Sequence, residues 1–195
     1  MTKTGTRLLV FAGSVRTGSF NRNLATAAAR IARAQGAEVT LADLADYPMP
    51  LYDGDLEQRE GMPERAQAFR RLMIEHDGFL IASPEYNSSI TPLLKNTLDW
   101  ASRARPDDPS PVPAYRGKVA GIMGASNGRL GAIRALPHLR QVLNTLGVQV
   151  AAEQLALSGA ATAFAEDGTL KEPAQAALLE AVVRRVLRLA AAAGA

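Results

Sequence analysis

The chain has 195 residues, 47% of them hydrophobic and 21% charged, with a formal net charge of +3. That is an ordinary soluble globular balance, and the length suits one domain spanning 1–195. It contains no cysteine, which excludes disulfides, thiolate metal sites and thiol catalysis, so any redox chemistry must come from a bound cofactor.

In chain order, Arg7 to Ala12 reads as a continuous apolar strand of the kind buried on both faces. After the loop 13–21, a helix is expected from about Asn21 to Gln35. Its apolar stripe comprises Leu24, Ala28, Ile31 and Ala32, and Gly36 suits the C-terminal cap. Glu38 to Leu44 alternates as a second strand, and a proline-marked loop runs from Tyr47 to Asp55. Pro63 sits in the first turn of a helix to about His76, with Phe69, Leu72 and Met73 facing inward. Gly78 to Ser83 forms a third strand. Thr91 and Pro92 then open a helix as cap and first-turn proline, with Leu94, Leu98 and Trp100 on its buried face. The four prolines between Arg105 and Tyr115 mark a surface loop. Lys118 to Met123 is a fourth strand, followed by a glycine-bearing turn, 124–131, and a helix ended by Gly147. Val148 to Leu157 is a fifth strand, and Pro173 to Ala193 a final helix.

Strand and helix alternate throughout, which argues for a doubly wound, mostly parallel α/β sheet with helices on both faces. Ligands of such sheets bind beyond the carboxyl ends of the strands, where strand order reverses. Three loops rich in small polar residues fall on that edge: 13–21, 83–91 and 124–131.

The first loop, GSVRTGSFN, offers hydroxyl and amide donors from Ser14, Thr17, Ser19 and Asn21, the guanidinium of Arg16, and the free amides of a helix start. That combination suits a phosphate. Gly13 and Gly18 have Walker A spacing, but Ser19 stands where the lysine belongs, which argues against an ATPase. Gly13-Ser14-Val15 does not begin a dinucleotide fingerprint, and Asp43 reads as a strand-end acid. On these residues alone, a solvated turn with Ser19 or Asn21 as helix cap stays open.

The second loop holds Pro84, Glu85, Tyr86 and Asn87, a rigid and partly aromatic surface with edge donors and acceptors that a flat ring could use. An ordinary strand-end aromatic is the alternative for Tyr86, and a surface acid for Glu85. In the third loop Gly128 and Gly131 allow close approach and Ser126 can donate, although a plain loop would look the same. His76 and His138 stand alone, so no metal site is expected, and no serine triad has the required elbow. Basic residues are scattered among acids, which argues against nucleic acid. No apolar run approaches the roughly 20 residues that cross a bilayer. The N-terminus lacks a signal-peptide core, so no membrane association and a cytoplasmic location are expected.

Three segments, GSVRTGSFN (13–21), SPEYNSSITPLLKNTLDW (83–100) and GASNGRLGAIRALPHLRQVL (124–143), together resemble the NADPH-dependent FMN reductases of flavodoxin-like fold, which include bacterial quinone and chromate reductases. The resemblance implies a three-layer sandwich with a five-stranded parallel sheet in the order 2-1-3-4-5. It implies FMN as cofactor, its phosphate held by Ser14, Arg16, Ser19 and Asn21. Its ring would be bordered by Pro84, Glu85, Tyr86 and Asn87 and closed over by Ser126, Gly128 and Gly131. NADPH, or NADH, would give a hydride to the flavin, and a small-molecule acceptor such as a quinone, flavin, azo compound, nitroaromatic or chromate would then take the electrons. The flavin would carry the chemistry, leaving no catalytic acid or base to name. Relatives are usually homodimers or homotetramers, which makes the LKNTLDW helix a candidate contact. Many relatives carry a larger residue at Ser88 and a second glycine at Ala132. A flavodoxin-like electron carrier without pyridine-nucleotide activity is the alternative, disfavoured because such carriers tend to be acidic.

Overall fold

The structure, a computed structural model, describes residues 5–105, 108 and 112–193. Its strands are β1 (Arg7–Ala12), β2 (Glu38–Ala42), β3 (Gly78–Ala82), β4 (Val119–Ala125) and β5 (Gln149–Leu157). The helices are α1 (Phe20–Ala34), α2 (Gly54–Glu60), α3 (Glu64–Glu75), α4 (Pro92–Ala101), α5 (Ala135–Thr145) and α6 (Pro173–Ala193). All strand pairs are parallel, in the order β2-β1-β3-β4-β5, the flavodoxin-like topology.

Side-chain alternation along the buried strands divides the core into two layers. Leu8, Val10 and Ala12 of β1 point toward α1 and α6, meeting Leu24, Ala28, Val182 and Val186. Leu9 and Phe11 point the other way, toward Phe69 of α3, Leu94 and Leu98 of α4, and Leu136, Leu139 and Leu143 of α5. Because the interiors of β1, β3 and β4 are apolar and buried on both faces, the sheet requires helices on both sides. The chain reverses its winding direction between β1 and β3, so the loops after those strands diverge and open a crevice there.

Several elements differ from their sequence expectation. The second strand stops at Ala42; Asp43 then accepts from the Ala45 amide at 3.0 Å and starts a 3-10 turn over Leu44–Asp46. The loop 47–55 gives way at Gly54 to α2, capped by Asp53, and α2 buries none of its residues. Pro50 fixes that loop to α4, accepting from Asn96 Nδ2 and Trp100 Nε1, each at 2.8 Å. β4 runs two residues past Met123, because Gly124 and Ala125 continue to pair with Ala156 and Leu157 of β5. The proline-rich stretch 105–115 lies partly outside the described residues; of it, Asp108 pairs with Arg70 of α3. Among the described residues no helix is long and apolar enough to cross a membrane.

Candidate active site

The loop after β1 ends in a capped helix start. Ser19 is the N-cap of α1, its hydroxyl accepting from the Arg22 amide at 3.5 Å, which realises the capping alternative left open by the sequence. A cap of this kind satisfies one first-turn amide and leaves others free. The Phe20 and Asn21 amides have no acceptor among the described residues. Ser14 Oγ accepts from the Arg16 amide at 3.4 Å. Arg16 is exposed, donating to the Thr17 and Gly18 carbonyls at 3.2 and 3.0 Å, with its guanidinium 5.5 Å from the Phe20 ring centroid.

Ser14, Arg16, Ser19 and Asn21 line one cleft of about 200 Å³ together with Pro84, Glu85, Tyr86 and Ser126. Asn87, Gly128 and Gly131, expected in the same site, are not among its lining residues. Phe20, Ala125 and Asn127 do line it, and the sequence reading singled out none of them. Phe20 and Asn127 could have been found, since each lies inside a motif; Ala125 carries no local signal.

The second wall is a tight hairpin turn. Tyr86 and Ser89 exchange backbone hydrogen bonds at 2.9 and 3.0 Å, and Asn87 and Ser88 between them both have positive φ, 50° and 67°. Two central residues at positive φ define the I′ class of two-residue turn. Tyr86 stands out of it with 55% of its surface exposed. Glu85 faces away from solvent, its side chain 7% exposed, and binds the start of α5. Its carboxylate accepts from the Arg134 amide at 2.9 Å, Arg134 Nε at 2.6 Å and the Ala135 amide at 3.3 Å. Burial alone would push this carboxyl up, but the hydrogen bonds from Arg134 outweigh it and hold it below the usual glutamate value.

The third wall is tied to β5. The Ser126 amide donates to Leu157 O at 2.9 Å, and the Gly128 amide to Ser126 Oγ at 3.1 Å. Gly131 lies against β5: a Cβ there would stand 2.7 Å from the Ala156 backbone. Ala132 has φ 70°, a conformation that favours glycine.

Two larger hollows lie elsewhere. One of about 340 Å³ between α1 and α6 is lined mainly by aliphatic and small residues, including Ala27, Ile31, Leu170 and Leu179. The other, about 680 Å³, is an open groove between α4 and α5. Neither brings together the free helix-start amides and the serine hydroxyls that suit an anion, so the smaller cleft at the strand ends is the candidate site.

A flavodoxin-like sheet with a crevice lined by free helix-start amides at its reversal point is the architecture of nucleotide-binding α/β proteins. Residues 6–162 match the sequence profile of the NADPH-dependent FMN reductases, and the chain belongs to that family. It is 38% identical over 165 residues to an NAD(P)H-dependent FMN reductase of Pseudomonas aeruginosa, covering 84% of each chain. To the quinone reductase of Escherichia coli K12 it is 39% identical over 144 residues, covering 74% of this chain and 72% of that one. The flavoenzyme NAD(P)H:(acceptor) oxidoreductase FerB of Paracoccus denitrificans superposes with a TM-score of 0.81 at 26% identity, covering 96% of this chain and 98% of that one. The chain is thus an FMN-dependent NAD(P)H oxidoreductase.

Proposed function

We propose that the enzyme is a quinone reductase whose FMN phosphate lies against the start of α1, within reach of Ser14, Arg16 and the free Phe20 and Asn21 amides. The observation that carries this reading is the convergence of those groups with Pro84, Tyr86 and Ser126 on one cleft. The residues fit an anionic ribityl phosphate: unpaired amides, a fixed cation and hydroxyls on one side, and a proline and an exposed tyrosine on the other. Bound FMN supplies the redox chemistry. The protein binds the phosphate at the helix start, where the dipole favours negative charge, and borders the ring with Pro84 and Tyr86 on one side and Ser126 on the other. Ser19 serves as the helix cap that directs the amides, and Glu85 fixes the ring-side hairpin against α5. Ser88, small at the hairpin tip, leaves room beside the ring for an acceptor.

A quinone is the acceptor favoured here because a relative 39% identical carries that name. The reading extends to the whole chain, 1–195, as one FMN-binding domain. It places the enzyme in the cytoplasm, where reduced pyridine nucleotide is supplied, as a homodimer or homotetramer with α4 at the contact. Steady-state rates with NADPH and NADH against a benzoquinone, free FMN, an azo dye and chromate test it. The benzoquinone should give the highest kcat/KM; a rate with it no better than with the other acceptors would contradict the assignment.

A further inference from the structure

Asn21 is the second residue of α1, and its side chain is almost wholly enclosed, the residue being 3% exposed. Its Nδ2 donates to the Ala125 carbonyl at 2.8 Å, and its Oδ1 accepts from the Ala125 amide at 2.9 Å. One planar carboxamide thus satisfies both backbone groups of a residue 104 positions away.

The strand pairing explains why Ala125 needs this partner. β3 pairs with β4 through Ala82 and Met123, and the Ser83 amide still reaches Met123 O at 2.8 Å. Continued by two residues, that register would set Pro84 opposite Ala125. There the Ala125 carbonyl would accept from the Glu85 amide and its amide would donate to the Ser83 carbonyl, but the chain leaves the sheet after Ser83 to form the ring-side hairpin. The last residue of β4 would then be a buried strand end with an unpaired donor and acceptor, since Ala125 is 3% exposed. The Asn21 carboxamide supplies the donor and acceptor that the departed strand would have offered.

We propose that Asn21 is a positioning residue: it holds the end of β4 and so sets the third wall of the flavin site, Ser126 and Asn127, at a fixed distance from the phosphate loop. Its oxygen and one of its two N–H groups are committed to Ala125, so the side chain acts on the site through the backbone of β4, while the residue's own amide faces the phosphate. The proposal rests on the cleft being the FMN site.

FMN and riboflavin, which differ by the phosphate, separate the two roles. Each is titrated into flavin-free protein, followed by flavin fluorescence, for the wild type, Asn21→Ala, Asn21→Asp and Arg16→Ala. Loss of the two bonds should weaken FMN and riboflavin by the same factor in Asn21→Ala, roughly ten-fold, and alter the absorption envelope of the bound ring. Asn21→Asp, which turns a carboxylate oxygen toward the Ala125 carbonyl, should do the same. Arg16→Ala should weaken FMN alone. A loss confined to FMN in the Asn21 variants, or no loss for either flavin, overturns the proposal. Hydrogen exchange on the flavin-free wild type needs no variant: the Ala125 amide should be protected, and free exchange there overturns the proposal even if both variants fail to fold. A wild type that binds neither flavin would instead remove the FMN site on which the proposal stands.

Discussion

The phosphate loop and the ring-side hairpin sit on opposite sides of one cleft and are built in opposite ways. The loop 13–21 belongs to the sheet: Gly13 donates to Ala82 O at 2.9 Å and accepts from Thr91 Oγ1 at 2.8 Å, while Asn21 grips β4. The hairpin 84–89 projects from it, with two residues at positive φ, an exposed tyrosine and ties to α5, Glu85 on Arg134 and Ala135 and Ser89 on His138. The first is preorganised before any ligand arrives, so its groups lose little freedom on binding. The second holds two non-glycine residues at positive φ at the rim of the cleft. The difference teaches a division of labour: substitutions in the loop should change cofactor affinity, and those in the hairpin should change acceptor turnover with cofactor retained.

The largest effect should come from Arg16→Ala, which removes a charged donor from the loop and should weaken FMN by about 1.5–3 kcal/mol. Fluorescence titration checks it, and unchanged affinity would break the comparison at its strongest point. Gly13→Ala follows. A Cβ there would lie 2.9 Å from Leu94 Cβ and 3.2 Å from Thr91 Oγ1, so α4 must shift. The expected cost is about 1–3 kcal/mol in a denaturant melt, the range for overpacking. A neutral result would mean the loop is not seated on α4 as described.

Glu85→Gln tests the hairpin's strap. The folded carboxyl lies below its ordinary value, so its stabilisation is fully present above that value and is lost as pH falls through the lower one. Because Arg134 is 54% exposed, about 1 kcal/mol is expected near neutrality. The gap between wild type and variant should close below roughly pH 4. A gap that widens in acid would contradict the stated cause. The smallest effect is Ser88→Gly, where φ is 67°. Relief of strain, offset by glycine's backbone entropy, should leave stability within about 1 kcal/mol. FMN affinity should not move, while kcat/KM for a quinone should; a loss of FMN binding would erase the distinction between the two walls.

How much of this was legible in the sequence differs by element. The five strands and five of the six helices announce themselves through apolar runs, Pro63 and Pro92, and the glycines at 36 and 147. α2 does not, because GDLEQRE buries nothing and so has no apolar period to read. The end of β4 was hidden because Gly124 and Ala125 look like turn residues, whereas their pairing depends on β5, more than 30 positions later in the chain. The three loops that meet at the cleft were identifiable from their small polar residues and their placement after strands. The work of individual residues within them was less so. Gly131 read as a place for close approach, yet it abuts the end of β5, just as Gly13 abuts Leu94. Glu85 read as a surface acid or ring neighbour, and its partner lies 49 positions away. Asn21 read as a phosphate donor or cap, and no local pattern could reveal its pairing with Ala125. Local sequence carries chemistry; which atoms are already spoken for depends on long-range packing.

An anaerobic absorbance titration tests the central claim most directly. Protein loaded with FMN should bleach on addition of NADPH and regain its colour when a benzoquinone follows. A protein that takes up no FMN, or one whose bound FMN neither NADPH nor NADH reduces, would contradict the account.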